Sequence, residues 1–420
     1  MTTRRHVLTQ SAAILTAATG GLILPARAQN TKVRIGLMLP YTGTFAQLGI
    51  GCDNGFRMAL EEKGNKLGGR DIEYFKVDDE SEPAKGVENA TKLVQRDKVD
   101  VLVGTVHSGV QMGIHKVARE TGVLSIIPNA GMHAATRALC APNVFRTSFT
   151  NSQPTLALGK TMVEKGHKKA VWITWKYAAG DEAGEGFREG YLAAGGTIVK
   201  ELGLPFPNVE FQALLTEIAS LKPDAVACFF SGGGASKFIR DYAAAGLAGK
   251  IPLYGSGFLT EGLLDDELAP AAQGIVTTLH YSSSLATKRN ESFRLAYAKM
   301  FKMQPDVYAV QGYDAALLLS QGLDAVKGER ITHILVTHTH KDHSPGARAL
   351  SRAAGAPSPH PARPGLRAGR PPGRPFNRAA PPGINPEGYQ CRKSPAFRCS
   401  PSPRARSPRA IPRCSFARTR

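Results

Sequence analysis

Residues 99–109 read VDVLVGTVHSG, and this stretch decides the fold. Its first eight residues are mostly apolar and β-branched, as in a strand that helices cover on both faces. The next three, His107, Ser108 and Gly109, are small or polar and end the strand. A buried strand that runs into such a turn is typical of an open α/β sheet, in which ligands bind beyond the carboxyl ends of the strands.

The same alternation of apolar runs and longer amphipathic segments extends from residue 32 to about residue 327. The runs form two sets: VRIGLMLP (33–40), IEYFKVDD (72–79), VDVLVGTV (99–106) and GVLSIIPN (122–129), then AVWITWKY (170–177), TIVKELGL (197–204), DAVACFFS (224–231) and IPLYGSGF (251–258). Helices are predicted between them, for example at 86–97, 180–195 and 236–247. The pattern predicts an α/β fold with two Rossmann-like lobes.

Four small or polar turns follow predicted strands in corresponding places. They lie at Tyr41, at Ser108 and Gly109, at residues 129–131, and at Tyr177. Each turn can be explained by backbone requirements alone, but four of them at equivalent strand ends favour a shared cleft. None contains a catalytic group, so we predict a binding protein rather than an enzyme.

Residues 1–28 have the layout of a signal peptide. Arg4 and Arg5 precede an uncharged stretch, and the sequence ARA at 26–28 comes before Gln29. The apolar part is shorter than the roughly 20 residues that a membrane span needs, so we expect cleavage after Ala28 and export to the periplasm. Residues 3–8 also resemble a weak twin-arginine signal, which leaves the export route open.

The net charge of +19 lies mainly at the C-terminal end. From Ile331 onward there are 17 Lys and Arg but only Asp342 and Glu387, so 15 of the 19 excess positive charges fall there. Residues 357–420 are rich in Arg, Pro and Ser, a composition that cannot bury a core and predicts disorder. Because aromatic residues are sparse in this segment and it has no known module, we expect no nucleic-acid partner.

The six cysteines show no metal-ligand spacing. Export would permit a disulfide, and Cys52 with Cys140 is a conceivable pair. Cys228 lies in the apolar run DAVACFF and is predicted to be a core residue.

From about Val33 to Gly328 the chain resembles the periplasmic solute-binding proteins of the branched-chain amino-acid (leucine/isoleucine/valine) type, which serve ABC importers. The resemblance rests on IGLMLPYTGTFAQLG (35–49), VDVLVGTVHSG (99–109), LSIIPNAG (124–131), NVFRTSFTNSQ (143–153) and VYAVQGYDAALLL (307–319). It implies a type I, venus-flytrap fold that is C-terminally truncated here. Lobe one would combine residues 32–147 with 278–328, and lobe two would span 148–277. Closure on a solute would present the protein to the importer's membrane subunits.

The resemblance also implies a ligand site. Ser108 with Gly109 would bind a ligand carboxylate, and the backbone at Asn129, Ala130 and Gly131 would complete the anion site. Tyr41, Tyr177 and Phe258 would flank a ring of the ligand. Gly233 would leave the cleft free of large polar side chains. Family members that bind α-amino acids present a glutamate from the turn that here reads YGSGF (254–258), which has no carboxylate. We therefore expect the ligand to be a small carboxylate without an amino group, either an aromatic acid or another organic acid. A branched-chain amino acid is the alternative ligand. No cofactor is expected.

A second resemblance begins after Lys327. Residues 331–350, ITHILVTHTHKDHSPGARAL, are similar to the zinc-binding loop of metallo-β-lactamase-fold hydrolases. The matching candidate metal ligands are His338, His340, Asp342 and His343. The likeness covers only residues 329–356, and His360 is the one later histidine. The alternative is therefore a chimeric chain that carries an inactive hydrolase fragment. A shifted reading frame explains such a chain better than an evolved fusion does. Zinc is expected only if the fragment functions.

Overall fold

A computed structural model describes residues 32–262 and 268–325, which form two α/β units, each built on one sheet. The first sheet has the order β2-β3-β1-β4-β5-β6. Its strands are β1 (Lys32–Leu39), β2 (Lys66–Leu67), β3 (Arg70–Asp78), β4 (Val101–Val103), β5 (Leu124–Ile127) and β6 (Val144–Arg146). All neighbours are parallel except the short edge strand β2, which pairs antiparallel with β3.

The second sheet is parallel throughout and has the order β11-β10-β9-β7-β8. Its strands are β7 (Lys169–Lys176), β8 (Thr197–Pro205), β9 (Ala225–Phe229), β10 (Leu253–Ser256) and β11 (Val276–Thr278). The eight predicted strands are therefore confirmed. The structure adds β2, β6 and β11, which have only two or three residues and so show no periodicity in sequence.

Helices cover both faces of each sheet, as the apolar strands require. They are α1 (Ala46–Glu61), α2 (Pro83–Gln95), α3 (Ser108–Thr121), α4 (Ser152–Glu164), α5 (Ala178–Ala193), α6 (Gln212–Leu221), α7 (Gly232–Ala244), α8 (Ala269–Ala272), α9 (Lys288–Phe301) and α10 (Val307–Ala325). The helices predicted at 86–97, 180–195 and 236–247 correspond to α2, α5 and α7. No helix among the described residues is both long and apolar enough to cross a membrane.

The late helix α10 packs along α1 beside the first sheet. A Cβ atom on Gly55 would overlap the carbonyl of Ala309, and one on Gly312 would overlap the carbonyl of Cys52. The two glycines therefore allow the helix backbones to touch. We call the first sheet with its helices, including α9 and α10, the first lobe, and the second sheet with its helices the second lobe.

The two lobes are in contact across the cleft between them. Phe45, before α1, packs on Phe206 of the second lobe with ring centroids 5.1 Å apart. The ring of His107 stacks on Tyr177 at 5.0 Å. The backbone N–H of Gly233 donates to the carbonyl of Thr44 at 3.3 Å. The structure is therefore a closed form.

The disulfide between Cys52 and Cys140, which the sequence left open, does not form. Cys52 is a free, buried thiol inside α1, on the side that α10 covers. Cys228 is a free, fully buried core residue, as predicted. The predicted signal peptide (1–28), the metallo-β-lactamase-like fragment (329–356) with His338, His340, Asp342 and His343, and the predicted disordered tail (357–420) lie outside the described residues.

Candidate ligand-binding site

A small cavity lies between the carboxyl ends of the two sheets. Its walls come from both lobes and from the segments that join them. The lining residues are Phe45, Leu48, Val106, Ser108, Asn129, Phe149, Asn151, Tyr177, Ala179, Phe229, Ser231, Phe258 and Tyr308. The position agrees with the rule that open α/β sheets bind ligands beyond their strand ends.

Six helices begin at this cavity. Ser108 is the first residue of α3, and Tyr308 is the second residue of α10. Residues that immediately precede a helix complete the set: Phe45 before α1, Asn151 before α4, Tyr177 before α5 and Ser231 before α7. The first N–H groups of a helix have no partner within it, and the helix dipole is positive at that end. The cavity is therefore suited to an anion.

The lining residues carry no formal charge. The polar atoms of the lining are instead neutral hydroxyls and amides, from Ser108, Asn129, Asn151, Tyr177, Ser231 and Tyr308. Burial raises the pKa of Tyr308 well above its usual value, so this phenol keeps its proton and can donate. Its hydroxyl is buried and has no hydrogen-bond partner among the described residues. Neutral donors and helix ends would thus replace a counter-charge.

Aromatic rings form the other walls. Phe149 and Phe258 lie 4.8 Å apart between centroids, and Phe258 also contacts Tyr308 at 5.8 Å. Phe229 meets Phe258 edge to face at 6.5 Å. These rings line an apolar space with both aromatic faces and edges, which suits an apolar part of a ligand.

Two hydrogen bonds orient the polar side chains at the first-lobe end of the cavity. Asn129 Nδ2 donates to Gln311 Oε1 at 2.7 Å, which ties the turn after β5 to α10. Asn151 Nδ2 donates to Ser108 Oγ at 3.3 Å. The cavity is therefore preorganised by residues that are distant in sequence.

His107 supports the site from outside its lining. Its Nδ1 accepts from the backbone N–H groups of Gly109 and Val110 at 3.1 and 3.3 Å, which caps α3. Burial lowers the pKa of His107 to about 4, so the ring is neutral at pH 7. A neutral ring is the form that can accept these two bonds.

A sequence model described as periplasmic binding protein matches residues 32–355, more than half of the chain. The chain belongs to this family. Among solved structures, it is 53% identical to a solute-binding protein of an ABC transporter from R. palustris in complex with benzoate, over 71% of this chain and 82% of that one, with a TM-score of 0.69. A second, from Rhodopseudomonas palustris BisB5 in complex with 3,4-dihydroxybenzoic acid, is 30% identical over 76% and 85% of the chains, with a TM-score of 0.69.

Curated relatives of this binding protein are also solute-binding proteins. It is 30% identical to the Leu/Ile/Val-binding protein BraC3 of Rhizobium johnstonii, over 70% of this chain and 80% of the relative. The predicted fold and the role as a binding component of an ABC transporter, in preference to the hydrolase alternative, are confirmed. The metallo-β-lactamase resemblance finds no support, and the family match itself extends through residue 355. The described residues contain no group of three or more His, Cys, Asp or Glu that could hold a metal.

Of the residues predicted to bind ligand, four line the cavity of the binding protein: Ser108, Asn129, Tyr177 and Phe258. Three others lie behind it. Gly109 donates its N–H to His107, and Ala130 donates its N–H to the carbonyl of Thr105 at 3.0 Å. The carbonyl of Gly131 accepts from the backbone N–H of Asn151 at 2.9 Å.

Tyr41 and Gly233 lie elsewhere. The Tyr41 ring lies 5.4 Å from the ammonium of Lys76, at the edge of the first sheet. Gly233 is in the first turn of α7, in contact with Thr44. Neither belongs to the cavity lining.

Sequence reasoning did not single out nine of the lining residues. These are Phe45, Leu48, Val106, Phe149, Asn151, Ala179, Phe229, Ser231 and Tyr308. Most stand at a strand end or a helix start, the same signal that identified Ser108. Asn151 and Tyr308 are in segments that carried the family resemblance, at positions where no side-chain role was assigned.

Proposed function

We propose that this protein is the periplasmic substrate-binding component of an ABC importer and that its solute is an aromatic carboxylate of the benzoate type. One observation carries the proposal: a closed, uncharged cavity in which six helix N-termini meet a wall of phenylalanine rings. The helix ends would bind the carboxylate, and the rings would enclose the aromatic part of the ligand.

The charge of the cavity argues against an α-amino acid. An ammonium group that loses its water needs a carboxylate or several strong acceptors. In the segment of 254–258, where amino-acid binders of this family have a glutamate, Phe258 points its buried ring at Phe149. Among the lining residues, no side chain would neutralise an ammonium.

The size of the cavity supports a small ligand. The side chains that line it leave little free space in this closed form, so a compact solute fits better than a large one. The relative at 53% identity was solved with benzoate, which agrees with this ligand class.

Binding and closure would be coupled. Contacts between the lobes, such as Phe45 with Phe206, exist only when the cleft is shut, so a ligand that bridges both walls stabilises that state. We propose that the membrane subunits of the importer recognise this state. The proposed lobes are 32–147 with 278–328, and 148–277, and a signal peptide at residues 1–28 would deliver the chain to the periplasm.

Isothermal titration calorimetry of the full mature chain, residues 29–420, tests the ligand class. We expect benzoate to bind in the micromolar range or tighter and leucine to bind at least tenfold more weakly. Acetate is the control for a carboxylate without a ring. Tight leucine binding with no heat from benzoate would refute the proposed ligand.

A further inference from the structure

Asn151 lies where the chain passes from one lobe to the other, between β6 and α4. Its side chain is 3% exposed. Nδ2 donates to two acceptors, Ser108 Oγ at 3.3 Å and Glu182 Oε2 at 2.7 Å. The carbonyl Oδ1 faces the opposite way, over the Cα atom of Gly131. Both amide hydrogens are therefore used, one on each lobe.

Glu182 decides which end of this amide faces Ser108. An ionised carboxylate can only accept hydrogen bonds, so it requires Nδ2 rather than Oδ1. Because the second hydrogen of the same Nδ2 goes to Ser108 Oγ, the serine oxygen is an acceptor there. The hydroxyl hydrogen of Ser108 is then free to donate into the cavity.

Other groups hold Glu182 in place. Its Oε1 accepts from the backbone N–H of His133 at 2.9 Å. Burial raises the pKa of Glu182, whereas its hydrogen bonds from His133 and Asn151 and the nearby guanidinium of Arg146 favour the ionised carboxylate. Arg146 is itself held by the Met132 carbonyl at 2.7 Å and by the hydroxyl of Thr136. The ring of His133 has its Nδ1 3.9 Å from Glu182, and the carboxylate of Glu185 lies equally far from the same Nδ1. Desolvation lowers the pKa of His133 to about 4, so this ring is neutral near pH 7.

The network joins the two lobes. Glu182 is on α5 of the second lobe, whereas His133 and Ser108 belong to the first. In this closed form the carboxylate therefore bridges the two lobes through His133 and Asn151.

We propose that Glu182 is a positioning residue: through Asn151 it orients the Ser108 hydroxyl so that the closed site donates to an anion and discriminates against neutral ligands of the same shape. The inference rests on the proposed function, because it assigns a cause for the preference for a carboxylate. Glu182 itself does not line the cavity.

The Glu182→Gln variant tests this directly. A carboxamide has one acceptor oxygen, and we expect it to stay with the fixed N–H of His133. Its NH₂ then faces Asn151, which turns Oδ1 toward it, so that Ser108 donates to Asn151 and offers a lone pair to the ligand. Benzoate loses a donor, whereas benzamide gains an acceptor for its NH₂ group.

We expect the ratio of benzoate to benzamide affinity to fall about tenfold in Glu182→Gln, measured by calorimetry on the full mature chain. The matched control is Glu185→Gln, one turn away on α5 and near His133 but without a bond to Asn151; its ratio should equal that of the wild type. A residue needed only for folding or closure would weaken both ligands equally. An unchanged ratio in Glu182→Gln overturns the proposal.

Asn151→Ala provides a second route if Glu182→Gln does not fold. It removes the orienting amide while Glu182 remains, and the benzoate-to-benzamide ratio should again fall. A folded Asn151→Ala protein with the wild-type ratio also overturns the proposal. If the wild type binds leucine and not benzoate, the proposed ligand fails, and the same variants are compared on leucine against leucinamide.

Discussion

Phe149 and Phe258 pack ring to ring with centroids 4.8 Å apart, one in the segment that leads to the second lobe and the other just after β10. Their contact places an aromatic wall where an amino-acid receptor would need a carboxylate. It follows that ring stacking should contribute much of the ligand affinity.

Phe258→Ala should weaken benzoate binding ten- to hundredfold, because it removes about 1.5–3 kcal/mol of apolar burial and ring contact. Calorimetry measures this change. Phe301→Ala, at the end of α9 away from the cavity, is the control. Equal affinities for benzoate in the wild type and Phe258→Ala would show that this ring is a core residue only.

Ser108→Ala should weaken benzoate about tenfold, because a hydrogen bond to a charged group contributes about 1.5–3 kcal/mol. The lost hydroxyl also accepts from Asn151 Nδ2, so the melting temperature without ligand should fall as well, because a buried donor is left without its partner. Ser220→Ala is the control, since that exposed hydroxyl bonds only to the Glu217 carbonyl. Full benzoate affinity in Ser108→Ala would exclude Ser108 from the anion site.

Gly131→Ala should lower both stability and affinity. A Cβ there would overlap Oδ1 of Asn151, and moving this buried amide costs about 1–3 kcal/mol. Urea unfolding and benzoate titration measure the two effects. Gly233→Ala is the matched control, because a Cβ at that position meets no atom within 4 Å. If Gly233→Ala weakened benzoate binding strongly and Gly131→Ala did not, the prediction would be wrong.

Asp79 should make the free energy of unfolding depend on pH. The carboxylate is fully buried between Ser81 N–H and the Thr105 hydroxyl, and desolvation raises its pKa to about 6, with Asp78 and Glu80 adding to the rise. An unfolded aspartate has a pKa of about 3.9. The folded state therefore binds the extra proton between these values, and stability from this group is lost as pH rises through about 6.

Asp79→Asn keeps the shape and the Ser81 bond without the charge. It should be more stable than the wild type by about 2 kcal/mol at pH 8, and the difference should shrink toward pH 4. Urea unfolding at pH 8 and pH 4.5 measures both differences. An equal difference at the two pH values would show that the charge of Asp79 is not the cause.

Much of the candidate site follows from local sequence. The apolar runs that end at Ser108, Asn129, Tyr177 and Phe258 predict strands, and strand ends of parallel sheets meet at one edge. These four residues line the cavity. Tyr41 follows a strand in the same way, yet its side chain turns toward Lys76, because direction at a turn depends on neighbours that the local sequence does not specify.

The sequence by itself determined the two α/β lobes, the cleft edge and the lack of a carboxylate at 254–258, because strand periodicity and turn chemistry are local properties. Only the tertiary structure decided which donors reach the cavity. The crossing between lobes brings Asn151 to Ser108. The packing of α10 on α1 brings Gln311 to Asn129 and places Tyr308 in the cavity lining. Such contacts join residues far apart in the chain, and their geometry exists only once both lobes have packed.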